Sequence, residues 1–154
     1  MSTPGKALVL DASVVVKWFK KGEGLEEESL ALRDRVLSAK VKALTSEWLL
    51  LEVARAMVKA GLPAGKVDEA YTILSEMDRL GFMEAVPVGE VLDVSKETII
   101  GLHLYASDSV YLATSIIRGA KLVTEDRHLL RGDVVKYARL RGVEVHSLEK
   151  VLDI

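Results

Sequence analysis

The sequence predicts an α/β fold of three layers, a parallel sheet with helices on both faces. Two observations predict it: short, almost wholly apolar runs recur along the chain, and stretches of helical periodicity separate them. Runs that are apolar throughout, rather than alternating, belong to strands covered on both sides, as crossover helices in a parallel sheet require. A third observation narrows the class. No glycine fingerprint follows the first apolar run, which excludes a dinucleotide-binding member of this architecture.

The first strand is the run 7–10, which ends at Asp11. Helical patterns follow over residues 13–19 and 25–38. A brief strand over 41–44 precedes Thr45 and Ser46, either of which has the hydroxyl to cap a helix running to about Ala60. Gly61 stops that helix, and Pro63 suits the first turn of another that ends near Gly81. A strand is expected over 83–88, then helices over 90–102 and 107–118, the second closed by Gly119. Residues 122–124 form the next strand, stopping at Glu125 and Asp126. A helix over 134–140 ends at Gly142, 143–145 is the last strand, and Ser147 is placed to cap a terminal turn.

At 154 residues and 49% hydrophobic, the chain fits one domain, 1–154, with a buried core, and its composition excludes disorder. No apolar run approaches a membrane span, and residues 1–6 carry no signal-peptide pattern, so a soluble cytoplasmic protein is expected. There is no cysteine, hence neither disulfide nor thiolate metal site. Asn and Gln, the heat-labile amides, are also absent beside abundant Lys, Glu and Arg, which is a thermophile's usage. The net charge of −2 argues against a general nucleic-acid coat protein, yet an acidic pocket with a basic rim is compatible with it.

Ligands of parallel sheets bind beyond the carboxyl ends of the strands, and that rule selects which polar residues to weigh. Asp11 stands where the first strand ends, and Asp126 just past another strand. Asp108 opens a helix that leads into the strand over 122–124, so it starts at the same edge. Taken singly, each aspartate is explained as a turn former or a helix cap. Three on one edge repel one another unless a cation neutralises them, and oxygen-only donors suit Mg²⁺ or Mn²⁺. Glu52 is open on spacing alone: it shares a helix side with Arg55 and Lys59, as a solvated, charge-paired stripe would, and Glu47 is its rival.

Four segments carry a resemblance to a known family. They are Val9-Leu10-Asp11-Ala12-Ser13, Glu52-Val53-Ala54-Arg55-Ala56-Met57, Asp108-Ser109-Val110-Tyr111-Leu112-Ala113 and Leu122-Val123-Thr124-Glu125-Asp126. In that order and spacing the chain resembles PIN domains, and most closely the VapC-like ribonuclease toxins. Many relatives have Asn where Arg55 stands and Ala where Ser109 stands. The resemblance implies an endoribonuclease with Asp11, Glu52, Asp108 and Asp126 as its catalytic carboxylates. Asp11, Asp108 and Asp126 would hold Mg²⁺ or Mn²⁺, with Ser13 and Thr124 in support. It also implies an RNA substrate, a homodimer and a small antitoxin partner.

Ser13 can equally be the cap of the first helix, and Thr124 can face either way at its strand end. Glu125 is expected to point away from the side on which Asp126 lies. His103, His128 and His146 have no metal-ligand spacing and read as ordinary surface residues. Trp18, Phe19 and Trp48 read as core or interface anchors rather than base platforms. Lys17, Lys20, Lys21, Arg127 and Arg131 are candidate phosphate contacts, with solvated surface charge as the plainer reading. Two other functions compete. A strand-end Asp nucleophile of phosphatase type wants a second Asp two residues on, where Ser13 stands. A PIN-like domain that only binds RNA or protein would have lost some of its acids, whereas all four candidates are present.

Overall fold

The structure, a computed structural model, describes residues 7–152, so the reading of residues 1–6 lies outside the described residues. The chain runs β1 (Ala7–Leu10), α1 (Ala12–Val15), a 3-10 turn (Val16–Trp18), α2 (Glu26–Leu37), β2 (Lys42–Ser46), α3 (Leu49–Lys59) and α4 (Ala64–Arg79). It continues through β3 (Met83–Val86), a 3-10 turn (Val88–Glu90), α5 (Leu92–Leu102), α6 (Ala106–Arg118), β4 (Lys121–Val123), α7 (Gly132–Leu140), β5 (Val145–His146) and α8 (Leu148–Val151). The five strands form one sheet in the order β3-β2-β1-β4-β5, and every pairing is parallel. The expected α/β class is what the chain adopts.

The order has a consequence for ligands. The chain steps from β1 to β2 to β3 in one direction, then crosses back over the sheet to β4 and β5. Right-handed crossovers therefore put α1 to α4 on one face and α5 to α7 on the other. The packing agrees: α3 lies against α4 and α1, while α6 spans β1, β2 and β4 with α5 on top of it. The connections leaving β1 and β4 diverge to opposite faces. The crevice between those strand ends is the topological switch point, where open α/β sheets bind ligands. Burying Val9, Leu10, Leu122 and Val123 completely from both sides makes β1 and β4 a rigid base for it.

Several element ends differ from the sequence reading, each for a local reason. The helix expected over 13–19 is instead α1 followed by a 3-10 turn, through a run of β-branched Val14, Val15 and Val16 that propagates a helix poorly. Strand β3 stops at Val86 because Pro87 follows it. The Thr45 hydroxyl donates to the Leu10 carbonyl at 2.8 Å, tying β2 to β1, so it caps nothing. Ser46 Oγ accepts the Trp48 amide ahead of α3. Ser147 makes no capping bond. The Leu148 amide is taken by the Glu125 carboxylate at 2.6 Å, which also turns Glu125 away from its neighbour Asp126. Gly119 closes α6 in the left-handed conformation, with φ of 64°, where a side chain would be strained.

Candidate metal centre at the switch point

Asp11 follows β1 directly and lies at the N-cap of α1. Its Oδ1 accepts the Ser13 amide at 2.6 Å, so Asp11 rather than Ser13 caps that helix. Its Oδ2 accepts the Thr124 hydroxyl at 2.5 Å. Thr124 Oγ1 in turn accepts the Asp126 amide at 2.9 Å, and Ser13 Oγ accepts the Glu125 amide at 2.9 Å. The two hydroxyls stand 3.4 Å apart. Together they stitch the end of β1 to the end of β4 with side-chain bonds, continuing a pairing whose last backbone link is Asp11 N to Val123 O.

Asp126 Oδ1 accepts the amides of His128 at 2.7 Å and Leu129 at 3.3 Å, which forms the turn after β4. Its turn-forming role is therefore real, but it uses one oxygen. Among the described residues no donor reaches Asp126 Oδ2. Asp108 sits in the first turn of α6 at 9% exposure, and no donor among the described residues reaches its carboxylate at all. A nearly buried carboxylate without a protein partner is costly to keep charged.

Glu52 does not belong to the charged stripe that its spacing allowed. Arg55 and Lys59 are exposed, whereas Glu52 is half-buried and accepts the Tyr111 hydroxyl at 2.6 Å. Its rival Glu47 is occupied elsewhere, holding the Val88 amide at 2.9 Å. Tyr111, fully buried one helical turn after Asp108, is the residue that sequence reasoning missed. The i, i+3 spacing on α6 was the available signal.

The electrostatics join these side chains into one group. Burial pushes Asp108 up to about 7, and the charges of Asp126, Asp11 and Glu52 add to the shift. Burial likewise lifts Glu52 to about 7, against the Tyr111 hydrogen bond and with help from Asp11 and Asp126. Burial raises Asp11 too, although the bonds from Thr124 and Ser13 oppose it. The Tyr111 phenol is held well above its ordinary value by burial and then by Glu52. As they stand, no three Asp, Glu or His side chains among the described residues are close enough together to hold a metal ion. The donor set nonetheless fits a hard divalent ion: it is all carboxylate oxygen, it includes unpaired oxygens on Asp108 and Asp126, and its mutual repulsion is what a cation removes.

Around the cluster, much of the expected basic rim is already engaged. Lys17 and Lys20 both pair with Glu23, at 3.4 and 2.5 Å, and Arg131 pairs with Asp133 at 2.8 Å. Lys21 and Arg127 are exposed and make no ion pair among the described residues. Trp18 donates to the Ser29 carbonyl and packs with Phe19 against the core, as anchors do. Trp48 is exposed and borders an apolar groove of about 700 Å³ beside Glu52, lined by Leu92, Ile99 and Ile100 of α5.

Comparison with known proteins bears on the family and the fold. The family model described as the PIN domain matches residues 8–135. The chain is similar in structure to PAE2754 from Pyrobaculum aerophilum, with 19% identity and a TM-score of 0.59 over 99% of this chain and 96% of that one. It is similar to VapBC2 from Rickettsia felis, solved bound to a DNA fragment from their promoter, with 15% identity and a TM-score of 0.59 over 92% and 98%. It is also similar to FitAcB from Neisseria gonorrhoeae, with 17% identity and a TM-score of 0.57 over 94% and 99%. At these identities the likeness is one of fold. No curated protein matches the chain.

The raised carboxyls fix the sign of a stability test. A carboxyl whose folded pKa exceeds its unfolded value contributes stability that is complete below the unfolded pKa and is lost as pH rises through the folded one. For Asp108 and Glu52 that window runs from about 4 to about 7. The metal-free protein should therefore melt lower at pH 7.5 than at pH 5. Asp108→Asn should flatten the slope and raise stability at pH 7.5 by on the order of 2 kcal/mol. Thermal melts of both proteins across that range, in EDTA, make the measurement. An unchanged slope in the variant would mean that Asp108 is not under charge stress.

Proposed function

The chain belongs to the PIN-domain family, and we propose that it is a divalent-metal-dependent endoribonuclease that hydrolyses RNA phosphodiester bonds. The observation that carries the proposal is the shared electrostatic stress of Asp11, Glu52 and Asp108, with Asp126 among its sources, at the switch point of the sheet. PIN domains are generally nucleases, and this crevice supplies the acids that such chemistry uses.

Asp11, Asp108 and Asp126 would hold Mg²⁺ or Mn²⁺. Bound there, the ion would supply Lewis acidity toward the phosphate and make water a stronger nucleophile at neutral pH. The protein's own groups divide the remaining work. Thr124 and Ser13 keep Asp11 in one rotamer and lock the 124–126 backbone, so two of the carboxylates are oriented before any ligand arrives. Glu52, held by the Tyr111 hydroxyl and raised to about 7, would exchange a proton with the attacking water or the leaving 3′ oxygen.

The biological role we propose draws on the same family. We read the chain as one 1–154 domain acting as a VapC-like toxin, cytoplasmic, from a thermophile, and neutralised by a small antitoxin. The fold shared with VapBC2 and FitAcB supports that reading. No helix among the described residues is long and apolar enough to cross a membrane. A homodimer is part of the proposal, and the apolar run of α3, with Leu49, Leu50, Leu51 and Met57, is a first candidate for its surface. Leu49 and Met57 of α3 are buried in the chain's own core and offer nothing to a partner. The dimer surface we propose is the groove between Trp48 and α5, where Leu92 and Ile100 stand 56% and 69% exposed.

In Mn²⁺, Asp11→Asn and Asp108→Asn should each slow RNA cleavage at least about a hundredfold with unchanged circular dichroism, because a neutral amide is a poorer ligand for a hard cation. Glu52→Gln should be the milder change. Folded Asn variants that cut at the parental rate would remove the site from this crevice. By light scattering the parental protein should be a dimer at micromolar concentration and Ile100→Asp a monomer. A parental monomer would remove the dimer.

A further inference from the structure

We propose that Tyr105, braced by His128, is a stacking platform for an unpaired RNA base beside the carboxylate crevice. The proposal rests on the nuclease reading and adds a base-binding subsite to it. Tyr105 is the N-cap of α6, three residues before Asp108, and is 68% exposed although both its neighbouring helices are well packed. Its ring meets the His128 ring edge to face, with centroids 5.4 Å apart and planes at 81°. His128 is tied to the site in turn, since its amide donates to Asp126 Oδ1 at 2.7 Å. The two rings therefore bridge the segments that deliver Asp108 and Asp126.

The surroundings keep this corner in shape. Arg131 Nη2 donates to the Leu102 carbonyl at 2.6 Å, and its guanidinium also pairs with Asp133, so it clamps the end of α5. His103 then turns the chain in the left-handed conformation, with φ of 56°, and Leu104, between it and Tyr105, is buried. A small cavity of about 140 Å³ opens among His103, Tyr105, His128 and Arg131. A perpendicular aromatic neighbour favours one orientation of an exposed ring before binding, which lowers the ordering cost of stacking a base on it. Single-stranded RNA is recognised in this way, through any base that is splayed out of a helix. Exposed Arg127, next to His128, is placed for the phosphate that accompanies such a base.

The test is binding of a 5′-labelled 12-nucleotide oligoadenylate, and of a 12-unit abasic strand with phosphates only, followed by fluorescence anisotropy in EDTA. Steady-state cleavage in Mn²⁺ runs alongside, and light scattering confirms an unchanged oligomer. Tyr105→Ala should weaken oligoadenylate binding roughly tenfold and raise KM similarly with kcat nearly unchanged. It should bind the abasic strand as the parental protein does. Tyr105→Trp should restore both values. Parental oligoadenylate affinity in Tyr105→Ala, an equal loss on the abasic strand, or failure of Tyr105→Trp to rescue would overturn the platform while leaving cleavage, and so the nuclease reading, intact. Tyr105-dependent binding without cleavage by the parental protein would keep the platform and remove the nuclease. Neither binding nor cleavage by the parental protein would remove both.

Discussion

The structure is organised around crowded negative charge at the place where a parallel sheet parts its connections. Asp11 and Asp126 arrive there because β1 and β4 are neighbours whose chains leave toward opposite faces. Asp108 arrives because α6 must start at the same edge to lead into β4. Glu52 reaches it from the first turn of α3. Topology thus forces acids together that electrostatics would separate, and the rest of the site holds them against that repulsion. Thr124 and Ser13 do so by hydrogen bonds, Tyr111 by donating to Glu52, and the apolar packing of β1 and β4 by rigidity.

The stress is unevenly distributed. Asp11 is compensated by two donors, and Asp126 is partly spent on its turn. Asp108 has no donor, so burial and its neighbours' charges act on it unopposed. Local instability of this kind is what a ligand-binding site retains when the scaffold around it is well packed. A divalent cation would complement it, since it would convert the least satisfied group in the crevice into a ligand.

How much of this was legible in the sequence depended on the kind of signal. The three aspartates were placed on one edge by topology alone, because strand ends and helix starts are marked by apolar runs and caps. Glu52 was not, since a helical stripe with Arg55 and Lys59 has the same spacing whether it faces solvent or a crevice. Only the hydrogen bond from Tyr111 of α6 to Glu52 of α3 separates the two. Tyr111 was hidden for a related reason: in sequence it is one more large residue on an apolar helix. Glu47 and Glu125 show the same limit, as each serves a distant backbone amide that no local pattern announces. Two of the boundaries that shifted did so at Pro87 and along Val14 to Val16, where local backbone preference overrode the hydrophobic pattern.

The central claim is that these acids form one protonated, cation-seeking cluster, and proton release on metal binding tests it most directly. At pH 7, groups held near 7 are about half protonated, and a cation held by Asp108, its charge also acting on nearby Glu52, must expel those protons. Calorimetric titration of Mn²⁺ into the protein, repeated in buffers of different ionisation enthalpy, counts them. The account predicts release of roughly one proton per bound ion at pH 7, falling toward zero near pH 9. Binding with no proton release at pH 7, or no binding at millimolar Mn²⁺, would contradict it.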